Sequence, residues 1–242
     1  MPQLGVPQDQ INLRFHETVT PHAPWTSLWE CTCDGALPAL TIVPDLQLHV
    51  IFDLSGVLEV EPFLINPGIK PVRIDLPSEA ILVGLTFPLW EARPLAAAEA
   101  KDPRTVHLDA DWIFYLYFEL LEYRNNGAEV SESTLFEQFM PFASAQMCND
   151  FRSQFLHVFD GVEDDTAWSD RHRRRMYQAI LGLSPKQVQR VARFQRLLTE
   201  LTRTGCSTYD EFYDQAHGIN EFRALASITP GEFLRNYRQP PY

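Results

Sequence analysis

GLSPKQVQRVARFQ, residues 182–195, carries both the start signal and the face pattern of a helix. Gly182 suits the left-handed residue that closes a preceding helix. Ser184 suits an N-cap and Pro185 the first helical position, where its missing N–H would have no partner anyway. Val188, Val191, Phe194 and Leu198 then recur at helical spacing as one apolar stripe. Lys186, Arg190, Arg193 and Arg196 are left around the rest of the surface. The pattern predicts a helix over 184–200.

Immediately upstream, SDRHRRRMYQAILG, residues 169–182, is a second capped unit, with Ser169 as N-cap and Gly182 as stop. Between them Arg171, Arg174, Arg175 and Gln178 recur at helical spacing. A short guanidinium-rich helix suits the DNA major groove, where Arg bonds guanine bidentately and other cations hold phosphates. Residues 171–199 hold eight Lys and Arg and no Asp or Glu, in a chain of formal net charge −12. Residues 1–165 carry 8 basic and 25 acidic residues, net −17; residues 166–242 carry 12 and 7, net +5. Such asymmetry points to two jobs, with nucleic acid or an acidic surface as partner of the basic part. A basic run alone reads better as a solvated helix face, and only the specific pattern around it shifts that reading.

The remaining composition narrows the class. With 242 residues, 45% of them apolar and 12% aromatic, the chain is long enough for one large core or two medium ones and too apolar to be disordered. No apolar run approaches the roughly twenty residues of a membrane-spanning helix. The opening MPQLGVPQDQ lacks the basic and apolar regions of a secretory leader, so a cytoplasmic protein with reduced thiols is expected. Cys31 and Cys33 form a C-x-C, neither a redox C-x-x-C nor a full zinc set, and strand alternation would place both on one face. His16, His22, His49, His107 and His157 show no metal-ligand spacing. No H-x-H with a following Glu, phosphate loop or nucleophile elbow is present. His49 reads as a structural histidine. No enzyme, metal or cofactor is expected.

Strand signals run from Trp25 to about Val106. Residues 25–34 alternate in part, 46–54 and 81–87 are apolar and β-branched, and 57–63 is a further candidate. Asn66-Pro67-Gly68 is a turn signal. Helices are expected over 111–123, 131–140 and 151–162, and the acidic run 163–165 is a boundary candidate.

Two blocks downstream make the C-terminal reading specific: FYDQAHGINEFR, residues 212–223, and ITPGEFL, residues 228–234. With residues 182–195, and in the same order, they resemble the C-terminal module of the AraC/XylS family of bacterial transcription regulators. Upstream, residues 23–29, 43–45, 50–54 and 82–87 resemble a cupin-like sensor class attached to such regulators. The resemblance implies an α+β fold. A cupin-like β-barrel or sandwich over 1–125 would precede a helical module over 126–242, with helix-turn-helix units near 150–182 and 200–234 and a linker helix over 184–200. It implies a DNA-binding regulator that contacts double-stranded DNA through Arg171, Arg174, Arg175, Gln178, Lys186, Arg190, Gln215, His217, Asn220 and Arg223, with Phe222 and Ile228 in the core. It also implies a small-molecule effector or a dimer contact in the barrel, and the aromatics to inspect for a pocket are Trp25, Trp29, Phe52, Phe87 and Trp90. The alternative is an AraC-like protein that has lost orthodox DNA binding and acts through protein contacts, including sequestration of a related regulator.

Three departures from the family pattern carry expectations of their own. Arg173 stands where an apolar core residue is usual, which predicts a rotated or loosely packed helix. Gly218 replaces a large apolar residue, which predicts a weakened core and helix. The gap between Gln195 and Phe212 is short, which predicts loss of most of the helix that braces the second recognition helix.

Overall fold

The structure, a computed structural model, describes residues 11–16, 27–33, 39–55, 63–65, 68–75, 80–88, 117–118, 120–122, 168–206 and 208–236. The helices expected over 131–140 and 151–162, the acidic run 163–165, and Trp25 and Trp90 lie outside those residues. Strands are followed by helices, so the fold is α+β.

Seven strands appear among the described residues: β1 (Ile11–His16), β2 (Ser27–Cys33), β3 (Ala39–Ile42), β4 (Gln47–Asp53), β5 (Phe63–Ile65), β6 (Val72–Asp75) and β7 (Ile81–Pro88). They form a five-stranded antiparallel sheet in the order β1-β2-β7-β4-β5 and a separate β3–β6 pair. β4 and β7 are the strands their apolar, β-branched runs predict, and β2 falls in the partly alternating stretch 25–34. β1, β3 and β6 carry no such signal: β3 and β6 are four residues each, and β1 lies upstream of the expected strand region.

Alternation decides what each sheet face buries. On one face Trp29, Cys31, Ile51 and Leu82 pack against Leu40 and Ile42 of β3 and Ile74 of β6, closing the two sheets over a shared core. Trp29 lies directly opposite Gly84. A Cβ at Gly84 would sit 2.0 Å from the Trp29 indole, so only glycine leaves room for that ring on a central strand. On the other face Phe52 meets the Tyr117 ring at 6.3 Å, and Leu120 is fully buried in the same helical stretch. Ile51 and Phe52 are neighbours along β4, so Trp29 and Phe52 serve opposite faces and do not wall one pocket.

His49 is buried at 1% exposure, as a structural histidine should be. Its partner is Asp45, with Nε2 3.0 Å from Oδ1. Asp53 instead accepts from the Ser55 amide and hydroxyl. Asp45 also accepts from the Gln47 amide at 3.1 Å, bracing a turn in which Leu46 holds φ 64°. That conformation is uncommon for a branched side chain and persists because the turn is tied on both sides. The same turn reaches the helices: Val43 is buried among Phe194, Leu197, Leu198 and Leu201, and the Gln195 amide donates to Pro44 O at 2.5 Å.

Candidate functional site

Among the described residues from 168 onward there are four helices: α1 (Asp170–Leu181), α2 (Pro185–Thr204), α3 (Gln215–Ala226) and α4 (Pro230–Asn236). The local signals set their ends. Ser169 accepts from the His172 amide and Gly182 closes α1 at φ 67°. Ser184 and Gln187 form a complete capping box with Pro185 in the first turn of α2, which runs to Thr204, four residues beyond the expected end. Asp214 caps α3 through the His217 amide at 2.7 Å.

Helices α2, α3 and α4 share one apolar cluster of Phe194, Leu197, Leu198, Leu201, Phe222, Leu225, Ala226 and Phe233. Phe222 is central to it, with ring centroids 5.2 Å from Phe194 and 5.9 Å from Phe233. Phe222 is fully buried as the sequence predicts, and Ile228 packs against the cluster's edge.

Two of the departures resolve differently from expectation. Arg173 is 28% exposed and ion-paired to Asp170, one turn earlier on its own helix. Its guanidinium is therefore partnered, and no rotation of α1 is needed to relieve it. Gly218 is buried, and a Cβ there would stand 2.3 Å from Cδ1 of Tyr209. The missing side chain makes room for a large ring from the preceding segment, which packs against the cluster. The core is filled from a different place in the chain.

The third departure holds. Among residues 205–206 and 208–214 there is no helix ahead of α3. That segment is instead held by one face of α2. Thr208 donates to Glu200 at 3.0 Å, Arg196 pairs with Glu211 through two nitrogens, and Arg193 lies 5.8 Å over the Phe212 ring. Arg190 pairs bidentately with Glu221 of α3 at 2.5 and 3.3 Å. Half-exposed pairs of this kind contribute only about 0.2–1 kcal/mol each. A buried Phe contributes roughly 1.5–3 kcal/mol, so the cluster stabilises the unit and the pairs fix how the segment lies.

This pairing sorts the basic island. Arg190, Arg193 and Arg196 are turned onto the protein itself rather than spread over its surface. Arg171, Arg174 and Arg175 are exposed and have no carboxylate partner among the described residues. Arg175 leans on His172, with Nη2 3.3 Å from Nδ1. Arg171 and Arg175 are four apart, so they share the side of α1 away from buried Tyr177 and Leu181. Gln178 is exposed, but its amide donates to Gly182 O at 3.1 Å and closes the helix end. Lys186 is exposed in the first turn of α2. Gln215, His217, Asn220 and Arg223 are all exposed on α3. Tyr213, 92% exposed beside Asp214, is a surface aromatic that helical periodicity did not single out.

At the end of the module Thr229 donates both its amide, at 2.7 Å, and its hydroxyl, at 2.8 Å, to Glu232. The amide bond, then the hydroxyl bond, holds the Glu232 carboxyl below its ordinary range. A depressed carboxylate stabilises above its unfolded pKa and loses that contribution as pH falls through the folded value. Stability is therefore expected to fall less steeply below about pH 4.3 in Glu232→Gln than in the parent. Equal slopes in urea titrations across that window would contradict this.

The elements that could form a regulatory site are sparser. Of the five aromatics expected there, Trp29 and Phe52 have described side chains, and both are core. On the Trp29 face, however, Trp29 Nε1 and His49 Nδ1 are buried without hydrogen-bond partners among the described residues. Among the described residues no His, Cys, Asp and Glu group could hold a metal ion. Nor is any helix there long and apolar enough to cross a membrane.

No protein-family model matches the sequence, and no curated protein matches it. Among solved structures, the chain is similar to ToxT from Vibrio cholerae O395, at 13% identity and a TM-score of 0.43, over 87% of this chain and 96% of that one.

Proposed function

We propose that this chain is a DNA-binding transcription regulator of AraC type, in which α1 and α3 enter neighbouring major-groove segments. The observation that carries the reading is the division of the arginines. Arg190, Arg193 and Arg196 of α2 are spent on the protein, whereas Arg171, Arg174 and Arg175 of α1 stand exposed with no carboxylate partner among the described residues. Guanidinium groups so placed match phosphate and guanine geometry. The stitched segment 205–214 does for α3 what a bracing helix does elsewhere, holding its inner face on α2.

In this reading residues 1–125 form the regulatory unit and 126–242 the reading unit. Buried Trp29 Nε1 and His49 Nδ1 support a small-molecule effector with a hydrogen-bonding group. Such an effector would raise the melting temperature of the parent and leave that of a Trp29→Phe variant unchanged.

Duplex binding, followed by fluorescence anisotropy at several salt concentrations, tests the main reading. With the three arginines divided between phosphate and guanine, the slope of log affinity against log salt is expected between about −1 and −3, and Arg174→Ala should make it shallower by about one. No binding even at low salt would overturn it.

A second reading has an observation of its own. Asp210, Asp214 and exposed Tyr213 crowd the start of α3, where phosphate would approach. That surface suits a protein partner, either a second copy or a related regulator. Under this reading duplex DNA fails to bind while sedimentation detects self-association or association with such a regulator.

A further inference from the structure

We infer that the two reading helices recognise unlike base steps: G·C under α1, with most of the affinity, and A·T under α3, with specificity but little affinity. The inference rests on the DNA-binding reading above and deepens it.

The buried side of α3 consists of Gly218, Phe222, Leu225 and Ala226. The opposite side is therefore fixed, and it presents Ala216, Asn220 and Ala224, all exposed and each four residues from the next. Asn is the side chain whose amide matches the N6 and N7 edge of adenine, and an Ala methyl meets the thymine methyl. Two alanines flanking Asn220 also keep the helix surface low, so that this short side chain can reach a base edge. Arg223 and His217 border the stripe, and His217 is set edge-on to the Phe212 ring at 5.9 Å.

The charge around α3 works against phosphate. Glu211 is satisfied by Arg196 and Glu221 by Arg190, so those pairs bring no net positive charge. Asp214 and Asp210 remain at the N-terminal end, leaving Arg223 as the exposed cation on α3 itself. On α1 the balance is reversed. Arg171 and Arg175 share the outward side with Arg174 beside them, and Asp170 is occupied by Arg173. Arg is the standard bidentate reader of guanine O6 and N7, and any Arg not on a base lies close enough to hold phosphate.

Selection from a randomised duplex library with the full chain, followed by sequencing, tests the inference. The enriched site should hold a guanine-containing half and an adenine–thymine half about one helical turn apart. Asn220→Ala should erase the A·T preference, weaken the best duplex about 10-fold and leave the salt slope unchanged. Arg175→Ala should weaken all duplexes and relax the guanine half. Asn220 is exposed, so an unchanged melting curve separates lost reading from lost folding. An A·T half that persists in Asn220→Ala, or a second half with no preference, overturns the inference while DNA binding stands. No enrichment of any duplex overturns the DNA-binding reading and the inference together.

Discussion

Phe222→Ala is expected to lower the unfolding free energy by about 3–5 kcal/mol. The ring is fully buried and bridges Phe194 of α2 to Phe233 of α4 at centroid distances of 5.2 and 5.9 Å. Its removal exposes apolar area and opens a cavity at the centre of the cluster shared by three helices. Relaxation cannot fill that cavity easily. α2 is pinned by Val43 on one side, and the Tyr209 ring already occupies the space over Gly218. The loss should appear as a lower urea midpoint with an unchanged denaturant slope. A change under 1 kcal/mol would mean that α3 is not anchored through this ring. The ion pairs cannot compensate, since Arg190→Ala or Arg196→Ala should each cost no more than about 1 kcal/mol.

The features legible in the sequence were those set within a few residues. Ser169, Gly182, Ser184 and Pro185 act on backbone groups at most four positions away, so their caps follow from composition alone. The β4 and β7 runs were legible because β-branched and apolar residues crowd them, and β2 because its stretch alternates in part. β3 and β6 were not, because four residues give alternation no room to show. The contacts that shape the candidate interface are long-range. Arg190 finds Glu221 31 residues on, and Arg196 finds Glu211 15 residues on, with nothing local to mark either pair. Gly218 read as a defect because its complement, Tyr209, sits in a segment of no helical pattern. Arg173 read as a buried charge, although Asp170 three residues earlier offered the partner that an i,i+3 rule could have found.

Val43→Asp is expected to cost several kcal/mol, far more than its distance from the helices in sequence suggests. Val43 is the fully enclosed member of the helical cluster that comes from the strand part of the chain, at 5% exposure among Phe194, Leu197, Leu198 and Leu201. A carboxylate there has no cation in the cluster to meet, so it must protonate or drag the turn out. Dragging it out breaks the buried bond from Gln195 to Pro44 and shifts Asp45, which holds both the Gln47 amide and His49. Gln195→Ala is the milder test of the same contact, orphaning one carbonyl for about 1–3 kcal/mol. Hydrogen exchange of the β4 amides provides a readout that a purely helical defect would not move. Faster exchange at Gln47 and His49 in both variants is the expected result, since the turn that orders β4 is the one that docks on α2. Protection of β4 equal to the parent's, in a folded Val43→Asp chain, would mean that the strand and helical cores are ordered independently. The turn at residues 43–46 therefore ties β4 to α2, through His49 on Asp45 on one side and Gln195 on Pro44 and Val43 in the helical cluster on the other.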